Sequence, residues 1–181
     1  NSSAYMRKSV YNNKKFRKDG SIIAIGEIVL EKVCKFVEQY HPEDFGIKSV
    51  NINLSTIQCM QENSIYKLTS ITNDYRIPKG FINFEITEQT GENILNFENI
   101  IAECNKKGIN FTLDNYGAGH CSQCNLLNYN YSSVKIDKSR IWNCELDEKC
   151  QISLKRTVSL LTELGMTVIT QGVESQAQND L

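Results

Sequence analysis

The chain has 181 residues with a formal net charge of −1, and 40% of its residues are hydrophobic. This length is sufficient for one domain with a sizeable core, and we assign a single domain to residues 20–181. The near-neutral charge excludes the basic footprint of a protein that binds nucleic-acid polymers, and no long apolar segment indicates a signal peptide or a membrane contact.

Helical and strand patterns alternate along the rest of the chain. Residues 1–19 are polar and basic, and we expect a surface stretch or a truncated start there. In chain order, the patterns predict a helix over 25–40, a strand over 49–55, a helix over 57–75, a strand over 80–88, a helix over 93–108, a strand over 109–115, a short helical stretch over 123–130, a strand over 132–137, a helix over 150–165 and a strand over 166–174. Gly108 and Gly165 are the predicted stops of two of these helices. Such alternation is typical of a parallel α/β fold.

Polar residues stand where each of the five predicted strands ends. These residues are Asn53, Glu85, the pair Asp114 and Asn115, the pair Lys135 and Asp137, and the pair Gln171 and Glu174. In a barrel of βα units, the carboxyl ends of all strands converge on one face, where such enzymes keep their sites. A doubly wound sheet brings ligands together from fewer strands. Five successive polar strand ends therefore favour a barrel.

The residue types at these strand ends suit the binding of a hard cation. Asn53, Glu85 and Asp114 offer oxygen ligands of the kind that Mg²⁺, Mn²⁺ or Ca²⁺ prefer. Lys135 could hold a nucleophilic water or offset phosphate charge. This set favours metal-assisted hydrolysis of a phosphoester. An aldolase-like Schiff base at Lys135 is the alternative from the strand ends alone, although a less anionic setting would suit it better.

The seven cysteines form a separate feature. An odd number of cysteines without a signal peptide is typical of reduced thiols in the cytoplasm, which is where we expect the protein. Cys121 and Cys124 form a C-x-x-C motif after His120, which could be half of a zinc site or a redox pair. No second motif completes a set of four zinc ligands, which favours loop cysteines without a special role.

Five stretches, taken in order, resemble one known family. They are "VNINLS", "INFEITE", "FTLDNYGAGHCS", "VKIDKS" and "GMTVITQGVES". They are similar to the conserved strands of the EAL-domain family, the cyclic di-GMP phosphodiesterases of bacterial signalling. The resemblance implies a modified TIM (β/α)8 barrel, two Mg²⁺ or Mn²⁺ ions, and hydrolysis of cyclic di-GMP to the linear dinucleotide pGpG. The first strands, with the Glu-Ala-Leu motif, and the last strand are not seen in this chain.

The resemblance also assigns expected roles to individual residues. Asn53, Glu85 and Asp114 match metal-ligand positions. Lys135 matches a lysine near the attacking water. Asp137 and Glu174 match supporting polar groups of the site.

Two substitutions depart from the family pattern. Asn115 stands in place of the Asp that the family uses for its second metal, and Gln171 stands in place of a Glu implicated in metal binding and water activation. An amide has neither the charge nor the proton-accepting capacity of a carboxylate. General-base help is typically worth about 10²–10⁴ in rate, so we expect slow or absent hydrolysis.

Three functions remain open from the sequence. The first is a degenerate EAL domain that binds nucleotide or regulates, with Mg²⁺ or Mn²⁺ only if it is active. The second is an active phosphodiesterase that needs a single metal and whose missing motif lies outside this chain. The third is a protein-interaction scaffold, with helices such as "KRTVSLLTELG" as partner surfaces. We expect cyclic di-GMP, a second copy of the chain, or a GGDEF or sensor domain of the same polypeptide as partners.

Overall fold

The fold is built on a parallel sheet of five strands. The computed structural model describes residues 20–61, 63–87, 97–118, 126–127, 129–145 and 147–181. Its strands are β1 Val50–Asn53, β2 Ile82–Thr87, β3 Asn110–Tyr116, β4 Ser133–Ile136 and β5 Thr167–Thr170, and they lie in the order β1-β2-β3-β4-β5. Every neighbouring pair is parallel. Strands that follow their chain order around a parallel sheet are the arrangement of part of a barrel, which confirms the predicted α/β fold.

Helices connect the strands. They are α1 Ser21–Tyr40, a 3-10 helix at Pro42–Phe45, α2 Thr56–Cys59, α3 Ser64–Asn73, α4 Phe97–Lys106, α5 Lys138–Trp142, α6 Glu148–Glu163 and α7 Gln176–Asn179. In the described part of the chain, none of them has the length and apolar character needed to cross a bilayer.

The prediction of a single helix over 57–75 is wrong. The pattern over 57–75 forms two helices, α2 and α3, rather than one. Asn63 has a φ of 62°, a left-handed conformation that an α-helix cannot continue through. Within the short helical stretch predicted over 123–130, residues 126–127 are helical, whereas residues 123–125 and 128 lie outside the described residues.

The longer helices bury one face each. In α4 the buried side chains are Phe97, Ile100, Ile101 and Cys104, spaced as one stripe of a helix. The helix ends before Gly108, whose φ of 82° provides the left-handed turn expected of a helix stop. The stripe therefore fixes which side of α4 packs on the sheet.

The two faces of the sheet differ in character. One face packs against the helices and holds several of the largest fully buried side chains, namely Ile82, Phe84, Ile86, Phe111, Val134 and Ile136. Burial of each such side chain contributes roughly 1.5–3 kcal/mol. The rings of Phe84 and Phe111 lie 5.7 Å apart between centroids. The other face is polar, and its members are Asn51, Asn53, Asn83, Glu85, Thr112, Asp114, Ser133 and Lys135. The polar face therefore holds the predicted site residues, and the apolar face forms part of the core.

Candidate functional site

The carboxyl ends of the strands bring the predicted site residues to one edge of the sheet. Asn53 on β1 lies opposite Glu85 on β2 in the register of the sheet. Asp114 on β3 lies opposite Thr87, two residues beyond Glu85. Lys135 on β4 reaches across to Glu85. Predicted residues from four strands thus lie at the same edge of the sheet.

Glu85 is the centre of this cluster. Its side chain is 8% exposed, and its Oε1 atom accepts a hydrogen bond from Lys135 Nζ within a salt bridge. Asn51 Nδ2 donates to the same oxygen at 2.6 Å. Sequence reasoning missed Asn51. The signal that could have found it is its position two residues before Asn53, which places both side chains on one face of β1.

Asp114 lies in a β-bulge. The register of β3 with β4 runs from Leu113 opposite Val134 directly to Tyr116 opposite Ile136, so β3 contains one extra residue. Asn115 takes up that residue with a φ of 60°, a conformation that Asn tolerates better than most side chains. The bulge returns Tyr116 to the buried core while Asp114 stays on the polar face.

The carboxyl group of Asp114 has a perturbed acidity. Burial raises its pKa above the usual value, and the negative charge of Glu85 raises that pKa further. Lys135, the backbone N–H of Asn115 and the side chain of Gln171 act in the opposite direction but do not outweigh burial. Glu85, Asp114 and Lys135 therefore lie close enough to influence one another electrostatically.

Gln171 contacts the cluster from the end of β5. Its Nε2 donates to Asp114 Oδ1 at 3.1 Å, and its backbone N–H donates to the carbonyl of Ile136, which continues the sheet by one residue. The next residue, Gly172, has a φ of 74°, and its carbonyl accepts from Trp142 Nε1 at 2.9 Å. This turn fixes the direction in which Gln171 leaves the strand.

The two remaining predicted site residues have other observed contacts. Asp137 caps α5, because its Oδ1 accepts from the backbone N–H of Ser139 at 2.9 Å. Glu174 is exposed, and its backbone N–H donates to Gln178 Oε1 at 2.7 Å. Their supporting role in the site stays a prediction.

The predicted cysteine motif falls on residues that the structure does not describe. His120, Cys121 and Cys124 lie outside the described residues. Among the described cysteines, Cys34, Cys104, Cys144 and Cys150 are free thiols. Burial raises the pKa of Cys59 to about 12, and that of Cys104 to about 11.

The donor set fits one hard cation. Glu85 and Asp114 supply carboxylates and Asn53 supplies an amide oxygen, which are ligands that Mg²⁺ or Mn²⁺ accept together with water. In the described ranges, no group of three or more His, Cys, Asp and Glu side chains is placed to hold a metal. Asn115 and Gln171 are amides rather than carboxylates, so their side chains carry no charge.

The sequence matches the model of a known protein family. The family model described as the EAL domain matches residues 14–181, which is most of the chain. The chain belongs to the EAL domain family.

Curated relatives support this assignment. The EAL domain is 29% identical over 163 residues to the signaling protein YkoW of Bacillus subtilis, covering 90% of this chain and 20% of the relative. It is 24% identical over 164 residues to the bifunctional diguanylate cyclase/cyclic di-GMP phosphodiesterase MucR of Pseudomonas aeruginosa, covering 90% of this chain and 24% of the relative. The chain thus spans about a fifth to a quarter of the length of these curated relatives.

A solved structure matches the fold closely. The EAL domain superposes on the PaMucR phosphodiesterase in its c-di-GMP complex with a TM-score of 0.80 and 23% sequence identity. The match covers 92% of this chain and 68% of that chain. At this identity the likeness establishes the fold.

Proposed function

We propose that this EAL domain is a cyclic di-GMP-binding regulatory module whose phosphodiesterase activity is weak or absent. The observation that carries the proposal is the hydrogen bond from the Gln171 amide to Asp114 Oδ1. A nitrogen donor faces the carboxylate at a position where the family resemblance implies a glutamate. An amide N–H cannot bind a cation, and it cannot accept a proton from an attacking water.

The charge of the site supports the same conclusion. Lys135 neutralises much of the charge on Glu85, and Asp114 accepts a hydrogen bond from Gln171. Asn115 is neutral. Losing a single outer partner of a metal ligand typically costs about 10- to 100-fold in metal affinity or activity, and losing a general base costs about 10²–10⁴. Two such losses together would leave hydrolysis very slow.

Nucleotide binding is the function for which support remains. Lys135 keeps a cation on the polar face, where it could offset phosphate charge. Asn53, Glu85 and Asp114 keep a set of ligands for one Mg²⁺ or Mn²⁺. The fold also resembles a phosphodiesterase solved in its c-di-GMP complex. We extend the proposal to a protein of cyclic di-GMP signalling in the cytoplasm, with a second copy or a GGDEF or sensor domain as its partner.

The test measures binding and turnover on the same protein. The chain is titrated with cyclic di-GMP by calorimetry, with and without Mn²⁺, and the linear dinucleotide is quantified by chromatography. We expect binding without turnover at ordinary enzyme rates. The double variant Asn115→Asp with Gln171→Glu should raise turnover by about 10²-fold or more, because it restores a proton acceptor.

A matched control is available in the same chain. Gln176 Nε2 donates to Asp180 Oδ1 at 2.7 Å on the surface, which repeats the chemistry of the Gln171 contact away from the site. The variant Gln176→Glu combined with Asn73→Asp adds the same two charges and should leave turnover unchanged. Fast turnover by the wild type would refute the proposal. Absence of nucleotide binding with and without Mn²⁺ would favour an interaction scaffold instead.

An active phosphodiesterase with one cation is the second candidate. The cluster of Glu85, Asp114 and Lys135, with Asn53 opposite Glu85, favours it, because these groups remain together at the sheet edge. It predicts ready turnover by the wild type and only a modest change in the double variant. The same measurements therefore separate the two candidates.

A further inference from the structure

One oxygen of Glu85 is already occupied by the protein. Oε1 accepts from both Lys135 Nζ and Asn51 Nδ2, and the second of these contacts is 2.6 Å long. A carboxylate oxygen with two donors has little remaining capacity to bind a cation. The oxygen that Glu85 can offer to a cation is therefore Oε2.

Asn51 is itself held in one orientation. Asn83 Nδ2 donates to Asn51 Oδ1 at 3.0 Å, and it also donates to Thr112 Oγ1. Thr112 Oγ1 in turn shares a hydrogen bond of 2.5 Å with Ser133 Oγ. Reversing the Asn51 amide would set its nitrogen against the donor of Asn83 and its oxygen against Glu85. The direction of the Asn51 amide is thus fixed.

This network is a row of side chains that crosses four strands. Asn83, Thr112 and Ser133 are 7%, 0% and 6% exposed. Among the described residues, Asn83 Oδ1 is buried without a hydrogen-bond partner, but the donors of the row are bonded. The row has few alternative arrangements, because each further broken bond leaves another buried group unpaired at a cost of about 1–3 kcal/mol. The row therefore provides a rigid support beneath the strand ends.

Asn51 and Asn53 have different places on β1. Asn53 is level with Glu85 in the register, where its amide oxygen could be a ligand. Asn51 lies two residues earlier on the same face and contacts Glu85 through its nitrogen. We propose that Asn51 is a positioning residue that holds Glu85 so that its Oε2 faces a divalent cation. This inference rests on the proposed cation site of the EAL domain.

The experiment measures the affinity for Mn²⁺ alone, without nucleotide. The chain is titrated with Mn²⁺ by calorimetry as wild type, Asn51→Ala, Asn83→Ala and Asn110→Ala. Removing a group that orients a ligand typically weakens metal binding about 10- to 100-fold, which is the loss expected for Asn51→Ala. Asn83→Ala should give a smaller loss, because Asn51 remains but is no longer held.

Asn110→Ala is the matched control. Asn110 is a half-buried amide at the start of β3, whose backbone pairs with Asn83 at the far end of the strand from Asp114. Its loss should leave the Mn²⁺ affinity unchanged. Thermal unfolding without Mn²⁺ establishes that each variant is folded, and Asn83→Ala carries the test if Asn51→Ala does not fold.

The outcomes separate this inference from the proposed function. Mn²⁺ binding by the wild type with equal affinity in Asn51→Ala and Asn110→Ala would refute the positioning role alone. Absence of Mn²⁺ binding by the wild type would refute the cation site and, with it, this role. Retained nucleotide binding in that case would leave the regulatory proposal standing.

Discussion

Replacing Gly172 with alanine should destabilise the turn that carries Gln171. Gly172 has a φ of 74°, which L side chains rarely adopt. A Cβ at this position would lie 2.6 Å from Lys138 Cβ and 3.3 Å from Trp142 Nε1. The first contact is near the backbone of α5, so the neighbour cannot rotate away.

The expected cost has two parts. Left-handed backbone costs a non-glycine residue roughly 1–2 kcal/mol. Forcing extra volume into a packed contact costs typically about 1–3 kcal/mol. Gly172→Ala should therefore lower the free energy of unfolding by roughly 2–5 kcal/mol.

The variant Gly165→Ala measures the cost of left-handed backbone without the cost of extra volume. The φ of Gly165 is 82°, but a Cβ there would meet nothing within 4 Å. Gly165→Ala should thus lower the free energy of unfolding by only about 1–2 kcal/mol. Urea unfolding of both variants measures the difference. Trp142, the single tryptophan of the chain, should change its emission only in Gly172→Ala, because it donates to the Gly172 carbonyl. Equal costs for both variants would refute the packing of this turn against α5.

Three further changes test the cluster and its support. Lys135→Met should lower the free energy of unfolding by about 3–5 kcal/mol, because it leaves the Glu85 charge buried and unpaired, and adding Glu85→Gln should recover most of the loss in urea unfolding. Burial and the charge of Glu85 raise the pKa of Asp114, so protonation of this carboxyl group favours the folded state. The resulting gain in stability is fully present below the ordinary pKa of 3.8 and is lost as pH rises through the pKa of the folded protein. The free energy of unfolding of the wild type, minus that of Asp114→Asn, should therefore fall as pH rises across that window. A difference that does not change with pH would contradict the raised pKa of Asp114. Trp142→Phe should cost about 1 kcal/mol by leaving the Gly172 carbonyl without its donor, and an unchanged unfolding midpoint would count against that hydrogen bond.

The strand order and the site edge could be predicted because both follow from local patterns. Alternating helical and strand periods require a parallel sheet, and parallel strands bring their carboxyl ends together. Asn53, Glu85 and Asp114 therefore lie at one edge once the five strands are recognised. The same logic places Lys135 beside them.

The bulge could not be predicted from periodicity. Simple alternation places Leu113 and Asn115 on one face and Asp114 and Tyr116 on the other. The extra residue in β3 breaks this alternation, so Tyr116 returns to the core. The left-handed Asn115 is a residue type that permits the bulge but does not require it.

Hydrogen bonds between side chains that are far apart in the chain could not be predicted from the sequence either. Asn51 and Glu85 are 34 residues apart, and no local pattern connects an amide to a particular carboxylate. The short helices α5 and α7 have too few residues for a periodic signal. A signal for α7 was nevertheless present, because Ser175 and Gln178 form a capping box that a search for Ser-x-x-Gln would have found.

The bulge at Asn115 separates the charge of the site from the stability of the fold. Asn and Asp both tolerate left-handed backbone, and they have nearly the same size. Exchanging one for the other at this residue changes the local charge by one unit while the sheet and its core keep their contacts. Exchange between Asn and Asp at residue 115 can therefore raise or lower the negative charge at the site edge of the sheet without a change of fold.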